Sequence, residues 1–265
     1  MANVAVIQFS SQPQIEHNLA QAYDLLQQAA AQGAVLALLP EMFLTLDGKQ
    51  YNAIAADPQY VQRLAGWAQE LKLWLVAGAV PMPCPDGDPR VRSACLVFNS
   101  KGEQVARYDK IHLFDVDVGD AHGSYRESER FAPGDEVVLV DTPAGRLGLV
   151  ICYDLRFPGL FQRLREQGAE LISVPAAFTY TTGAAHWQTL LRARAIETQC
   201  YVLAANQCGW HDDKRRTYGH SQIIDAWGAV LTELEEEAGV ALAEIDLAQL
   251  AEVRKKMPVT QHRRF

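Results

Sequence analysis

The residues of this chain whose types could do chemistry together are a cysteine, two glutamates and a lysine. Cys152 closes on the apolar run LGLVI (147–151) and is followed at once by Tyr153, Asp154 and Arg156. A short apolar run bounded by turn residues reads as a buried strand. The thiol is therefore expected where a strand stops, the usual place for a reacting group in an α/β protein. Taken alone, a free cysteine is more often a small buried hydrophobe than a nucleophile. Thiol catalysis also needs a base for the proton, a donor for the oxyanion and an acid for the leaving group. Glu41 follows the apolar run 34–39, Lys110 ends the strand-like EQVARYDK (103–110), and Glu127 lies in the long segment 111–135. Beside a desolvated thiol, a glutamate of raised pKa can act as base and then as acid. A lysine can hold an oxyanion by fixed charge. Each also has an ordinary structural reading: Glu41 as a strand-end cap or ion pair, Lys110 as a solvated lysine, Glu127 as part of an exposed loop. Together, at strand ends, they make an acid–base–thiol site.

Other chemistries lack their signatures. None of the seven histidines is singled out locally, although His112, His186 and His220 stand beside expected element ends. Gly219-His220-Ser221 lacks the second glycine of a serine-nucleophile elbow. HExxH and related spacings do not occur, so no metal site is expected. Five cysteines without a CxxC pair make neither a disulfide framework nor a zinc site. A redox-sensing thiol would need a resolving partner for Cys152, with Cys200 and Cys208 as candidates.

The positioning elements are legible in the spacing. VAVIQF (4–9) reads as a strand, and Leu19, Ala22, Leu25, Leu26, Ala29 and Ala30 form one face of a helix over 16–32, stopped by Gly33. A strand over 34–39, a helix over 58–72 and a strand over 73–80 follow. A surface turn (81–90) leads to a hairpin, 92–100 with 103–110. The segment 111–135 reads as a long irregular loop, more often functional than idle at that length. Then come strands at 137–142 and 147–152, a helix at 158–167, a strand at 170–175 and a helix near 184–197. Strands at 199–207, 220–228, 229–234 and 239–246 and a helix at 247–256 complete the chain, whose last ten residues read as a docking tail. QGAVLALLPEMF (32–43) and QGAELISVPAAF (167–178) share six of twelve positions. Two similar halves would bring Glu41 near the segment after Pro175. Interleaved strands and helices without a linker indicate one α/β domain over 1–265.

A net charge of −8 excludes a general nucleic-acid or anionic-membrane partner, which needs a basic face. The one basic cluster, Lys214-Arg215-Arg216, reads as a solvated loop. The longest apolar stretches are too short to span a bilayer, and no charged segment precedes the first strand, so no export signal is expected. Reduced thiols fit a cytoplasmic setting.

Three motifs, LLPEMF around Glu41, YDKIHLFD around Lys110 and ICYDLRFP around Cys152, together resemble the nitrilase superfamily of carbon–nitrogen hydrolases. The resemblance runs from the first strand to HRR at 262–264. It implies a four-layer αββα sandwich, often paired as a homodimer, acting on a small amide without cofactor or metal. It makes Cys152 the nucleophile, Glu41 the general base and acid, Lys110 the oxyanion-stabilising lysine and Glu127 the second, positioning glutamate, with the Tyr153 N–H completing the oxyanion hole. Segments 184–202, 204–211 and 218–228 look most like the Nit branch, in particular its amidases for deaminated glutathione, which release 2-oxoglutarate and cysteinylglycine. The sister activity is ω-amidase, on 2-oxoglutaramate and 2-oxosuccinamate. For this branch Arg156 corresponds to a carboxylate-binding arginine, which suits bidentate pairing, and Phe178 and Thr182 to pocket walls. Arg156 could instead form a structural ion pair with Asp154 or Asp109.

Overall fold

The computed structural model describes residues 1–120 and 123–264. Its first half runs β1 (Ala2–Gln8), α1 (Ile15–Ala31), β2 (Leu36–Leu38), α2 (Tyr51–Ala56), α3 (Gln59–Glu70), β3 (Trp74–Val76), β4 (Val80–Pro83), β5 (Val91–Phe98), β6 (Gln104–Asp109), β7 (Asp115–Asp117) and β8 (Ser124–Arg126). The second half runs β9 (Leu139–Thr142), β10 (Gly145–Leu149), α4 (Pro158–Glu166), β11 (Leu171–Ala176), α5 (Tyr180–Thr198), β12 (Tyr201–Asn206), β13 (Cys208–Trp210), β14 (Arg216–Tyr218), β15 (Gln222–Ile224), β16 (Val230–Glu233), β17 (Gly239–Ile245), α6 (Leu247–Lys256) and α7 (Val259–His262).

Alternation along the strands sets the layers. In the first sheet, ordered β17-β1-β2-β3-β5-β4 with β6 on β5, Val4, Val6, Leu36, Leu38, Val76, Cys95 and Val97 point one way. They meet Leu147, Leu149, Leu171 and Leu203 of the second sheet in one core. The intervening Ala5, Ile7, Ala37, Leu75, Ala94 and Leu96 point the other way and pack under Leu19, Leu26, Leu64 and Ala68 of α1 and α3. On the far side of the second sheet, Phe161 and Leu164 of α4 and Trp187 and Leu191 of α5 complete an αββα sandwich.

The internal repeat corresponds to real symmetry. β1, β2 and β3 are parallel, and so are β10, β11 and β12. Each trio is flanked by an antiparallel strand on its first member and antiparallel strands beyond its third. The repeated segments are the middle strands, β2 and β11. Both run without exposed residues, as parallel strands covered on both faces should.

Several expectations are corrected. The stretch 73–80 is not one strand: it breaks at Gly78 into β3 and the start of β4. Gly78 has φ +44°, and a Cβ there would lie 2.0 Å from the Pro40 carbonyl oxygen. The 147–152 run leaves the sheet after Leu149, short of Cys152, and Cys152–Arg156 forms a 3-10 turn. The segment 111–135 is not wholly irregular, since it holds the β7–β8 hairpin and a 3-10 turn at Glu127–Glu129; residues 121–122 lie outside the described ones. At the C-terminus Leu250 is buried, Arg254 donates to the carbonyls of Ala169 and Gln199, and Arg263 reaches Gln162 and Glu166 of α4. Phe265, the last residue of the expected tail, lies outside the described residues. No helix among those described is long and apolar enough to cross a membrane.

Candidate active site

Cys152 stands three residues past β10 with φ +46°. Left-handed backbone at a non-glycine residue costs about 1–3 kcal/mol and persists only where the surroundings impose it. Asp154 imposes it here. Its fully buried carboxylate accepts the Ile151 N–H at 2.9 Å, while its own N–H donates to the Ile151 carbonyl at 3.0 Å, closing the turn on itself. The same carboxylate accepts the Tyr108 hydroxyl at 2.7 Å and the His112 N–H at 3.0 Å, and lies 2.7 Å from His112 Nδ1. Tyr108 and His112 flank Lys110, so Asp154 fastens the cysteine turn to the lysine strand.

Lys110, only 2 % exposed, carries its ammonium 2.8 Å from Glu41 Oε1 and 2.8 and 2.9 Å from the two oxygens of Glu127. The second Glu41 oxygen accepts the Ala177 N–H at 2.9 Å, just past Pro175, where the repeat placed it. Two devices hold the Glu41 backbone. The glycine at 78 lets Glu41 bridge to Ala79 and the Met42 N–H donate to the Ala79 carbonyl at 2.8 Å. Gln207, buried in the other half, donates from Nε2 to the carbonyls of Glu41 (2.8 Å) and Met42 (3.1 Å), and its Oε1 accepts the Ser11 N–H. Glu127 is not on an exposed loop: its Oε2 also accepts the Phe114 N–H at 2.6 Å.

Burial governs the electrostatics. It pushes the Cys152 thiol well above the ordinary thiol range, Glu41's negative charge pushes it further, and Lys110 opposes both. The resting side chain is a thiol, which needs a base at the moment of attack. Burial disfavours the Lys110 charge, but Glu127, Glu41 and Cys152 outweigh it and hold the ammonium well above its usual range. Glu127 is raised, by burial first, against the pull of Lys110. A protonated thiol, a permanent cation and two carboxylates lining one cavity form a set that can deprotonate a nucleophile, hold an oxyanion and return a proton.

A cavity of about 380 Å³ opens onto this set. Glu41, Lys110, Glu127, Cys152, Tyr153, Arg156, Phe178 and Thr182 all line it. Tyr153 is the second residue of the 3-10 turn, where backbone N–H groups have no partner within the turn. Arg156 pairs with neither Asp154 nor Asp109. Asp154 is engaged as above, and Asp109 pairs with Arg107 at 2.8 Å. The Arg156 guanidinium instead lies 5.3 Å from the Phe178 ring and 3.3 Å from His186 Nδ1. Cys200 and Cys208 do not line the cavity; Cys200 immediately precedes β12, at the opposite end of the parallel trio from Cys152. All five cysteines are free.

The chain matches the carbon–nitrogen hydrolase model over residues 3–255. It belongs to the carbon–nitrogen hydrolase family. Within the nitrilase superfamily it is 46% identical, over 100% of its length and 93% of the relative's, to a deaminated glutathione amidase of Yersinia enterocolitica. It resembles the Saccharomyces cerevisiae Nit3 structure, a member of branch 10 of the superfamily, with a TM-score of 0.89, 31% identity, and coverage of 100% and 97% of the two chains. The Caenorhabditis elegans NitFhit structure matches at a TM-score of 0.92 and 40% identity, this chain covering 66% of that longer one. Family membership and amidase relatives make the protein an amide-hydrolysing enzyme.

Sequence reasoning missed other members of the site. Asp154 lies in ICYDLRFP and Gln207 in the segment 204–211, but only the fold reveals what they hold. The basic cluster is not a solvated loop as a whole: Lys214 is exposed, whereas Arg215 lines the cavity and Arg216 packs 3.9 Å over the Tyr180 ring and pairs with Glu236. Tyr51, Phe114, Tyr125 and Arg130 also line it, with no local signal to announce them.

Proposed function

We propose that this enzyme hydrolyses the amide of deaminated glutathione to 2-oxoglutarate and cysteinylglycine. The observation that carries the reading is the charge of the cavity. On a chain of net charge −8, Lys110 and four arginines (126, 130, 156 and 215) line the wall against three glutamates, which selects an anionic substrate. The full-length similarity to deaminated glutathione amidases supports the same substrate.

In the proposed mechanism Glu41 takes the Cys152 proton as the sulfur attacks the amide carbonyl. The Lys110 ammonium and the Tyr153 N–H hold the tetrahedral oxyanion, and Glu127 fixes the lysine. Glu41 passes its proton to the leaving nitrogen, the C–N bond breaks, and a thioester remains on Cys152. Glu41 then takes a proton from water, whose oxygen attacks the thioester; the acid leaves and the proton returns to sulfur. Arg156 receives the 2-oxo acid carboxylate, with Phe178 and Thr182 as walls. The whole chain, 1–265, acts as a single domain whose C-terminal segment docks through Arg254 and Arg263. The protein works as a cytoplasmic homodimer; the exposed Ile196 and Trp227, joined where Ile196 covers Gly228, suit a self-associating surface. Steady-state kinetics on deaminated glutathione and 2-oxoglutaramate test the substrate. We expect the higher kcat/KM for deaminated glutathione, and a preference for 2-oxoglutaramate would assign ω-amidase instead.

A further inference from the structure

The cavity's cations are not equivalent. Lys110 is ion-paired with both Glu41 and Glu127. Arg126 pairs with Asp117 and donates to the carbonyls of Val116 and Tyr125. Arg130 donates to the Gly48 carbonyl and lies against that residue. Arg156 and Arg215 remain without a carboxylate within ion-pair distance among the described residues. Arg215 is half-buried, and its Nε is buried without a hydrogen-bond partner. A buried guanidinium nitrogen left in this state is costly unless something else supplies an acceptor.

Its backbone is held firmly. The Asp212 carboxylate accepts the N–H groups of Lys214 and Arg215, both at 2.7 Å, and the His211 N–H donates to the Arg215 carbonyl at 3.0 Å. His211 is itself buried, its ring 2.9 Å from the Ser11 carbonyl and 2.7 Å from the Thr217 hydroxyl. A row of rings separates the two arginines. Arg215 lies 6.0 Å from the Tyr125 centroid, Tyr125 is 5.2 Å from Phe114, Phe114 is 5.0 Å from Tyr153, and Arg156 lies 5.9 Å from Tyr153. Cys152, next to Tyr153 in the chain, lines the same cavity, and an arginine without a carboxylate partner stands at each end of the row.

We propose that Arg215 recognises a second carboxylate, on the leaving-group side of the scissile amide. The inference rests on the reading of the substrate above: deaminated glutathione carries one carboxylate on its 2-oxo acid and another at the end of its dipeptide. With the first at Arg156 and the carbonyl at Cys152, the dipeptide extends over Phe114 and Tyr125 to Arg215. A short ω-amide loses ammonia and has nothing to place there. Arg215 therefore determines the choice between the two substrate classes.

The test compares the wild type with Arg215→Gln on three substrates: deaminated glutathione, its C-terminal carboxamide and 2-oxoglutaramate. The expected result is a KM-dominated loss on deaminated glutathione at least about tenfold larger than on 2-oxoglutaramate, the scale of one charge-assisted hydrogen bond. The carboxamide should be a poorer substrate for the wild type by a similar factor and lose little more in the variant, as a shared contact requires. Equal losses on all three substrates would make Arg215 a structural residue and overturn the proposal. So would an undiminished preference for the free carboxylate in the variant. A wild type that turns over 2-oxoglutaramate but not deaminated glutathione would overturn the substrate reading itself, and is told apart because it appears before any substitution is made.

Discussion

The Asp154 carboxylate accepts the Tyr108 hydroxyl at 2.7 Å across the contact between the two halves of the fold. One side chain thereby sets the cysteine turn and fixes the segment that carries Lys110. Asparagine keeps the shape but offers a single acceptor oxygen to a position that serves Ile151, Tyr108 and His112. Asp154→Asn should destabilise the fold by about 1–3 kcal/mol and lower kcat more than it raises KM. Thermal unfolding beside steady-state kinetics checks this; an unchanged kcat would show that the turn holds without the carboxylate.

Glu41 is expected to have two separable effects. As base it is required for turnover, so Glu41→Gln should lower kcat/KM by about 10²–10⁴-fold. As a negative charge beside Cys152 it raises the thiol pKa. Removing it lowers that pKa, so the thiolate fraction near pH 8 rises. Iodoacetamide labelling of Cys152, followed against pH, should therefore shift to lower pH in the variant while amide hydrolysis is lost. A shift to higher pH would contradict the placement of the charge.

Gln207 joins the halves from the opposite side, through the backbone of Glu41 and Met42. Gln207→Leu leaves the Ser11 N–H and two carbonyls without their buried partner, at a cost on the order of 2 kcal/mol. It should also reduce kcat because Glu41 is no longer fixed. Denaturant unfolding and kcat on the same preparation separate the two effects, and a destabilised enzyme of full kcat would limit Gln207 to a structural role.

Much of this was readable from the chain. The apolar runs and helical stripes located most elements because burial on one or both faces leaves a periodic mark. Cys152, Glu41 and Lys110 were visible because strand ends are where an α/β fold places its reacting groups. The three-residue strands of the β13–β14 hairpin left no such mark, being too short for periodicity. Arg215 looked solvated because its neighbours Asp212, Asp213 and Lys214 are charged; the carboxylate of Asp212 in fact ties the turn that carries Arg215. Asp154 was in view two residues from the nucleophile, yet its partners lie 42 and 46 residues away in the chain, a distance that spacing alone does not bridge.

The central claim, that Cys152 carries the acyl group of the cleaved amide, is tested most directly by trapping it. Deaminated glutathione is mixed with the enzyme, quenched in acid during turnover, digested and analysed by mass spectrometry. A 2-oxoglutaryl thioester on the Cys152 peptide is the predicted result, with no adduct and no turnover in a folded Cys152→Ala variant. Amide hydrolysis that persists in Cys152→Ala would contradict it.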